Sequence, residues 1–422
     1  MKTRLLSIFL AVTMAATLLV GCSAATESVS GESVTDNFLD VAESEYKVAL
    51  ITDYGDITDQ SFNQTTYEAC KMFCAEMCMD FEYYKPNVDA AEARIAAIKE
   101  AVQAGYNVIV MPGYSFAGAI VEVTKLYKDV KFIALDVSEG DLLEAGVAHA
   151  GEAYDYVPEN WKLNDYVYTD NLYCAIYQEE LSGYMAGYAA VKMGYKKLGY
   201  LGGMEVPVVM RFGYGFVQGA EAAAKEMNVT GVAIEYGYGN QFFGDEEITA
   251  VMNSWYQQGT EVIFACGGGI YSSVAEAAST NGKKVIGVDT DQAAVIDTIY
   301  GEGLTVTSAM KGLYPTTIDT LTDVVINGKW ADYAGKIANL GLVSESDVEM
   351  NYVQLPLEST HWTDSFGVED YKKLVSDIYN GTIKISNDVS TTPVTTAVQV
   401  IYHGNVKQGM QDTQDTEDTQ DI

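Results

Sequence analysis

The feature that most constrains this sequence is a regular alternation of short apolar runs with longer stretches of helical periodicity, from Tyr46 to about Asn327. A strand–helix–strand order of this kind is typical of parallel sheets covered on both faces by helices. One sheet usually holds about five or six strands, whereas ten runs are present here, with a pause in a polar, aromatic insertion at residues 140–171. The sequence therefore predicts an α/β fold with two doubly wound parallel-sheet lobes joined by a hinge.

The predicted strands share a short length and a high content of branched apolar residues. They are Val48–Thr52, Phe81–Tyr84, Val108–Met111, Phe132–Asp136, Cys174–Tyr177, Leu198–Leu201, Val232–Tyr236, Val262–Ala265, Val285–Val288 and Thr305–Ala309. We expect lobe 1 to span residues 46–176 with a return segment at about 310–330. Lobe 2 is then expected to span 177–309 with late segments at about 331–385. The tail at 408–422, with its repeated Gln-Asp-Thr, is predicted to be disordered and acidic.

The N-terminal segment reads as an export signal. Lys2 and Arg4 precede an apolar run at residues 5–20, and Gly21-Cys22 follows directly. This arrangement resembles a bacterial lipoprotein signal, in which residues 1–21 are removed and the cysteine is acylated, with palmitate among the expected groups. Residues 22–45 are then a flexible tether that holds the body at the extracytoplasmic face of the cell membrane. An ordinary signal peptide with a coincidental cysteine is the alternative.

Composition excludes one class of partner. The chain has 25 basic and 59 acidic residues, a formal net charge of −34. A surface of this charge repels phosphates, so nucleic acid is excluded as a general partner. Beyond the signal there is no second stretch of eighteen apolar residues, so we expect a soluble body whose membrane contact is the lipid.

Three closely spaced cysteines raise the question of a metal site. Cys70, Cys74 and Cys78 recur every four residues in a predicted helix at 61–79, which places them on one helix face. A zinc site would need histidine or a fourth cysteine nearby, and the chain has three histidines in all, none in this helix. We therefore predict buried apolar thiols, and neither a metal nor a cofactor.

Ligands of open parallel sheets lie beyond the carboxyl ends of the strands. The residues found there are Asp53, Gly113, Asp136, Gly202, Gly203, residues 238–245, Gly267 to Gly269, Asp289, Asp291 and Lys311. Carboxylates that accept pairs of hydroxyl bonds, balanced by one lysine, suit a neutral polyhydroxylated ligand. The alternative for each aspartate is that it caps the following helix. The glycine run could cradle phosphate or simply form a tight turn.

The first strand and the loop after it, residues 48–64, read Val-Ala-Leu-Ile-Thr-Asp-Tyr-Gly-Asp-Ile-Thr-Asp-Gln-Ser-Phe-Asn-Gln. This segment resembles the opening of the basic membrane protein family, the PnrA-like purine nucleoside-binding lipoproteins of ABC transporters. Further matching pieces follow in the family's order, at residues 132–136, 180–187, 211–219, 288–289 and 308–312. The resemblance spans about residues 46–327. It implies a type I periplasmic-binding-protein fold, no enzymatic activity, and a monomer that delivers its ligand to permease and ATPase subunits.

The resemblance also implies roles for particular residues. Asp53 and Asn63 would hydrogen-bond the purine, and Phe62 would stack on it. The ribose contacts would be Asp136, Gly267, Asp289 and Lys311. A second stacking ring falls within residues 240–245, where Phe243 fits the family spacing best and Phe242 and Tyr238 remain alternatives. From the residues alone, Phe62 could instead anchor the first helix in the core, and Asn63 could be its N-cap.

The sequence also contains features of other functional classes. Ser308 and Lys311 have the spacing of a penicillin-binding nucleophile pair, but the accompanying Lys-Thr-Gly is absent from the sequence. Residues 113–118 miss the nucleophile elbow Gly-x-Ser-x-Gly by one position. A glycosidase could use two of the cleft carboxylates. A binding protein of the same fold for a sugar or another small polar ligand is the closest alternative, and a surface protein that binds nothing is a third.

Overall fold

The structure is a computed structural model, and it describes residues 45–407. The predicted signal peptide, the tether up to residue 44 and the acidic tail at 408–422 lie outside the described residues. Within residues 45–407, no helix combines the length and the apolar character that crossing a membrane requires.

The described chain contains thirteen strands and twelve α-helices. The strands are β1 (Val48–Ile51), β2 (Phe81–Tyr84), β3 (Val108–Pro112), β4 (Lys131–Leu135), β5 (Leu172–Tyr177), β6 (Lys197–Gly202), β7 (Val232–Tyr238), β8 (Val262–Cys266), β9 (Lys284–Asp289), β10 (Thr305–Lys311), β11 (Lys336–Leu340), β12 (Val353–Gln354) and β13 (Val398–Asn405). The helices are α1 (Phe62–Glu76), α2 (Ala91–Gln103), α3 (Ala117–Leu126), α4 (Glu139–His149), α5 (Leu163–Tyr166), α6 (Glu179–Lys192), α7 (Pro207–Met227), α8 (Glu246–Gln257), α9 (Tyr271–Asn281), α10 (Ala293–Tyr300), α11 (Leu313–Leu321) and α12 (Val368–Tyr379).

These strands form two sheets, as the alternation predicts. The first sheet has six parallel strands in the order β11-β5-β4-β3-β1-β2. The second has seven, in the order β12-β10-β9-β8-β6-β7-β13, with β12 antiparallel to β10. Central strands such as β1 and β3 are buried along their whole length, because helices cover both faces of a parallel sheet. The predicted two-lobe α/β fold is confirmed, and all ten predicted strands are present.

The chain crosses between the sheets three times, and the crossings lie side by side. They follow β5, β10 and β11. Gln178 N donates to the Leu340 oxygen at 2.9 Å, and Gly312 N donates to the Tyr352 oxygen at 2.6 Å. Tyr352 N donates in turn to the Gly341 oxygen at 3.0 Å. Backbone bonds between three adjacent crossings form the predicted hinge.

Helices α6 and α7 pack unusually closely through glycines. A Cβ added to Gly183 would lie 2.1 Å from the Phe212 oxygen, and one added to Gly219 would lie 2.0 Å from the Tyr184 oxygen. No side chain fits in such a gap. This close contact fixes α7, whose first turns carry Phe212, against the start of α6.

The structure corrects one sequence expectation and contains elements that the sequence did not predict. Residues 331–385 were expected in lobe 2, but β11 pairs with β5 and completes the first sheet. The insertion at 140–171, where the alternation pauses, contains α4 over its first ten residues, begun by a capping box between Ser138 and Asp141 and held by the buried Leu142. The strands β11, β12 and β13 were not predicted.

The cysteine prediction is correct in part. Cys70 and Cys74 are buried on α1, as are Cys174 and Cys266 on their strands. Cys78 is exposed, because α1 ends at Glu76 and residue 78 has a φ of 51°. Among the described residues, no group of three or more histidine, cysteine, aspartate or glutamate side chains is placed to hold a metal ion.

Candidate ligand-binding site

A cavity of about 410 Å³ lies between the lobes at the carboxyl ends of both sheets. This volume is typical of a site for one small molecule. All eight residues that the sequence singled out line it: Asp53, Phe62, Asn63, Asp136, Phe243, Gly267, Asp289 and Lys311. They meet because the carboxyl ends of parallel strands share one edge of each sheet, and the hinge makes the two edges face each other.

One part of the cavity wall is formed by the loop between β1 and α1. Asp53 Oδ1 accepts hydrogen bonds from the amides of Tyr54 and Gly55, both at 2.6 Å. Burial raises the pKa of Asp53, although these two bonds oppose the shift. Asn63 is buried, and its Oδ1 has no hydrogen-bond partner among the described residues. An unpaired buried acceptor is costly, so this oxygen is suited to a ligand donor.

Asp59, which also lines the cavity, orients the Asn63 side chain. It accepts bonds from the amides of Asn63 and Gln64 at 2.9 and 3.0 Å, and from Asn63 Nδ2 at 3.2 Å. The side chain that caps the start of α1 is therefore Asp59, whereas the sequence suggested Asn63 as an alternative N-cap. Burial raises the pKa of Asp59 to about 6, against the lowering effect of these bonds.

A second part of the cavity wall is a buried charge cluster around Lys311. Its Nζ forms an ion pair with Asp136 and lies 3.7 Å from Asp289 Oδ1 and 3.8 Å from Glu179 Oε1. It also lies 4.7 Å from the centroid of the Phe62 ring. Burial by itself would lower the pKa of Lys311, but the three carboxylates raise it above its ordinary value. Lys311 is thus a permanent cation among buried acids, and the remaining acceptors suit hydroxyl donors.

Asp136 and Asp289 occupy equivalent positions in the two lobes. Each directly follows or ends a strand, β4 and β9, with a φ of 59° and 65° respectively. Aspartate tolerates this left-handed backbone better than most residues because its short side chain can bond locally. Asp136 Oδ1 has no hydrogen-bond partner among the described residues. The turn aims both carboxylates into the cavity.

Several contacts between described residues join the lobes across the cleft. Ser61 Oγ donates to Asp289 Oδ2 at 2.6 Å, and Gln292 Nε2 donates to the Gln60 oxygen at 3.0 Å. Lys311 forms an ion pair with Asp136. A ligand that binds these same groups would strengthen the contact between the lobes, which is what ligand-driven closure requires.

Two phenylalanines, Phe242 and Phe243, form the aromatic wall of the cavity on lobe 2, where the sequence favoured Phe243 alone. Phe243 lines the cavity at its mouth and is 57% exposed. Phe242 also lines it, and its ring covers Gly267: a Cβ there would lie 2.8 Å from Phe242 Cδ1. Tyr238 is buried, and its hydroxyl lies 3.1 Å from that of Tyr236. Tyr238 does not line the cavity, so Phe242 and Phe243 remain as candidates.

Sequence reasoning missed several groups at the site. The further lining residues include Tyr54, Asp59, Tyr114, Val209, Phe212 and Cys266. Behind them, the fully buried Glu179 accepts a bond from Arg211 Nε at 2.6 Å. Burial raises the pKa of Glu179, while Arg211 and Lys311 oppose the shift. The sequence signal that could have located Glu179 is the pair of acidic residues, Glu179 and Glu180, with which α6 begins.

The balance of charge argues against an anionic ligand. Five aspartates and two lysines line the cavity, namely Asp53, Asp56, Asp59, Asp136, Asp289, Lys85 and Lys311. In the glycine run after β8, the amide of Gly269 donates to the Phe242 oxygen at 2.8 Å and is therefore not available to a phosphate. The site therefore suits a neutral or cationic molecule.

Two hinged parallel-sheet lobes with a polar cavity between them form the architecture of the periplasmic binding proteins, in which a ligand binds between the lobes. The family described as "ABC transporter substrate-binding protein PnrA-like" (Bmp) has a sequence model that matches residues 46–388. The chain belongs to this family, as its opening motif predicts. Because members are substrate-binding proteins, the prediction that the chain is not an enzyme is confirmed, and its partners include a permease and an ATPase.

Individual relatives agree with this assignment. The chain is 26% identical over 306 residues to the "ABC transporter nucleoside-binding protein BmpA" of Lactococcus lactis subsp. cremoris, covering 69% of this chain and 75% of that protein. It is 26% identical over 326 residues to "Basic membrane protein B" of Borreliella afzelii, covering 72% and 81%. A solved solute-binding protein from Conexibacter woesei shares the fold, with a TM-score of 0.57, 18% identity and coverage of 81% and 99%.

Proposed function

We propose that the cavity binds a purine nucleoside and that the protein delivers this ligand to the permease. The observation that carries the proposal is the presence of two different groups of polar side chains in one cavity. Asp53 and Asn63 present acceptors, which suit the N–H donors on the edge of a purine. The second group is the cluster of Asp136, Asp289 and Lys311, which suits the hydroxyls of a ribose.

Aromatic rings support a flat ligand. Phe62 lines the cavity from lobe 1, and Phe242 and Phe243 line it from lobe 2. Stacking of a base on an aromatic ring contributes about 1–3 kcal/mol in nucleic-acid complexes. We propose that Phe62 provides one stacking face and the Phe242-Phe243 pair the other. The excess of aspartates favours a nucleoside over a nucleotide, and the Lactococcus relative is named as nucleoside-binding.

A thermal-shift screen tests this function. The panel holds purine and pyrimidine nucleosides, their free bases, nucleoside monophosphates, ribose and common sugars. A purine nucleoside at 100 times its Kd should raise the free energy of unfolding by about 2.7 kcal/mol, which is seen as a shift of several degrees in Tm. We expect little or no shift with monophosphates. A shift with sugars alone would establish the sugar-binding alternative instead, and no shift with any compound would refute nucleoside capture.

We also propose that the protein is anchored to the membrane by lipid on Cys22, which lies outside the described residues, and acts as a monomer. The anchor rests on the sequence Leu19-Val20-Gly21-Cys22. Each buried methylene of an acyl chain contributes about 0.8 kcal/mol. Cys22→Ala should therefore appear in the soluble fraction or persist as uncleaved precursor in cell fractionation. Cys78→Ala, which removes an exposed thiol of the body, is the control, and equal membrane retention of both variants would exclude the anchor.

A further inference from the structure

The C-terminal strand β13 extends the second sheet beyond residue 388, where the match to the family ends. It runs parallel to β7 along the whole length of that strand. The pairing continues one residue further, where Val406 N donates to the Tyr238 oxygen at 2.9 Å. Residues 398–407 thus follow β7 to its carboxyl end, which is the end that faces the ligand cavity.

The entry into β13 is anchored on α7 by one carboxylate. Glu221 accepts hydrogen bonds from the amides of Thr396, Ala397 and Val398, at 2.7, 2.9 and 2.8 Å. Burial alone would raise the pKa of Glu221, but bonds from Lys225 and from this backbone lower it to about 2. The segment is therefore held in place well before it reaches the cavity.

At the far end of this segment, Lys407 contacts the loop that carries the aromatic pair of the cavity. Its Nζ donates to Gln241 Oε1 at 2.6 Å and forms an ion pair with Asp245 Oδ2 at 2.5 Å. Gln241 and Asp245 stand on either side of Phe242 and Phe243. Lys407 therefore contacts both ends of the loop Gln241–Asp245, which we call the aromatic loop.

Within the aromatic loop, the two side chains that Lys407 contacts form hydrogen bonds to each other and to the backbone. Gln241 Nε2 donates to the Phe243 oxygen at 2.8 Å and to Asp245 Oδ2 at 2.9 Å. Asp245 Oδ1 caps α8 by accepting a bond from Ile248 N at 2.8 Å. Phe243 itself is 57% exposed, so packing contributes little to its position. The bonds of Gln241 and Asp245 therefore hold the loop, together with the bond from Gly269 N to the Phe242 oxygen and the bonds between Ser273 and Asp245.

We propose that Lys407 is a positioning residue that holds the Gln241–Asp245 loop and thereby sets the aromatic wall of the ligand site. It does not touch the cavity, and it acts through the loop. Residues 398–407 lie beyond the part of the chain that matches the family, residues 46–388. In this proposal they position the aromatic loop of the ligand site. The proposal rests on the proposed function for the identity of the ligand, but the order of the loop can be measured without any ligand.

The first measurement is hydrogen exchange of the ligand-free protein with and without Lys407→Met. We expect amides of residues 241–245 to exchange severalfold faster in the variant, because the loop loses two bonds to a cation, while Tm falls by no more than about 3 °C, as for other partly exposed ion pairs. Lys407→Arg should restore slow exchange. His403→Ala is the matched control on the same strand, since His403 contacts Glu235 and Trp255 rather than the loop. It should leave residues 241–245 unchanged.

The second measurement is affinity for the best nucleoside of the screen. Lys407→Met should weaken binding about three- to tenfold, mainly through faster dissociation, and His403→Ala should not. The double variant Lys407→Met/Phe243→Ala should lose less affinity than the sum of the two single losses, because both changes act on the contact made by the Phe243 ring.

The outcomes separate the two proposals. Unchanged exchange of residues 241–245 in Lys407→Met overturns the positioning role whatever the ligand is. Fully additive losses in the double variant overturn it as well, because they would show that Lys407 acts independently of the aromatic ring. Faster exchange of residues 241–245 in Lys407→Met, together with no binding of any compound in the panel, would support the positioning role of Lys407 and would contradict only the proposed nucleoside capture.

Discussion

Asp289→Asn is expected to weaken nucleoside binding about ten- to hundredfold, the effect of removing the charged partner of a buried ligand hydroxyl, while binding of the corresponding free base changes much less. Asp289 lies in the Lys311 cluster, in the part of the cavity assigned to the ribose. Asparagine preserves the left-handed backbone at φ 65° and can still accept the bond from Ser61. The loss therefore reports charge rather than unfolding.

Asp53→Asn should weaken the nucleoside and the free base by similar factors, because Asp53 lies in the part of the cavity assigned to the base. The substitution replaces an acceptor oxygen with an N–H donor, which opposes the N–H donors of a purine. Calorimetric titration of both variants with one nucleoside and its base compares the four losses. Asp291→Asn serves as the control, since Asp291 is exposed, caps α10 through Ala293 N at 3.1 Å and does not line the cavity. Equal losses of nucleoside and base in Asp289→Asn would contradict this division of the site.

Gly219→Ala is expected to destabilise the protein by about 3 kcal/mol, the upper end of the usual range for overpacking. The added Cβ would lie 2.0 Å from the Tyr184 oxygen, so α6 and α7 must move apart. The movement would displace Phe212, which α7 holds at the cavity, and ligand affinity should fall together with stability.

Urea unfolding of the ligand-free protein measures this effect. Gly140→Ala is the matched control, because Gly140 lies in helix α4 and its nearest obstacle, Ser138 Oγ, is 3.6 Å from the new Cβ. Alanine there should be neutral or stabilise by up to about 1 kcal/mol, since glycine is a poor helix former. Similar unfolding midpoints for the two variants would show that the α6–α7 contact relaxes freely and that the glycines are not required for close packing.

The sequence by itself determined the two-sheet framework. Nine of the ten predicted strands are central in their sheets, and their sequences are apolar runs because central parallel strands are buried on both faces. It also located the candidate site, since any residue after such a strand lies at the carboxyl edge, and the opening motif at residues 48–64 identified the family. For the same reason the structure brings Asp53, Asp136, Asp289 and Lys311 to one cavity without any of them being close in sequence.

Tertiary structure decided what local pattern could not encode. The strands β11, β12 and β13 escaped prediction. All three lie at sheet edges; β11 and β13 are half exposed and carry polar residues, so they lack a continuous apolar run, and β12 has two residues. The ion pair of Lys311 with Asp136 joins residues 175 positions apart, and the choice of Phe242 and Phe243 over Tyr238 depends on which ring the fold leaves facing the cavity. The hold of Lys407 on the aromatic loop likewise spans more than 160 residues. Each of these contacts forms only when the lobes and the C-terminal segment have docked, because the bonds that define them connect segments with no local preference for one another.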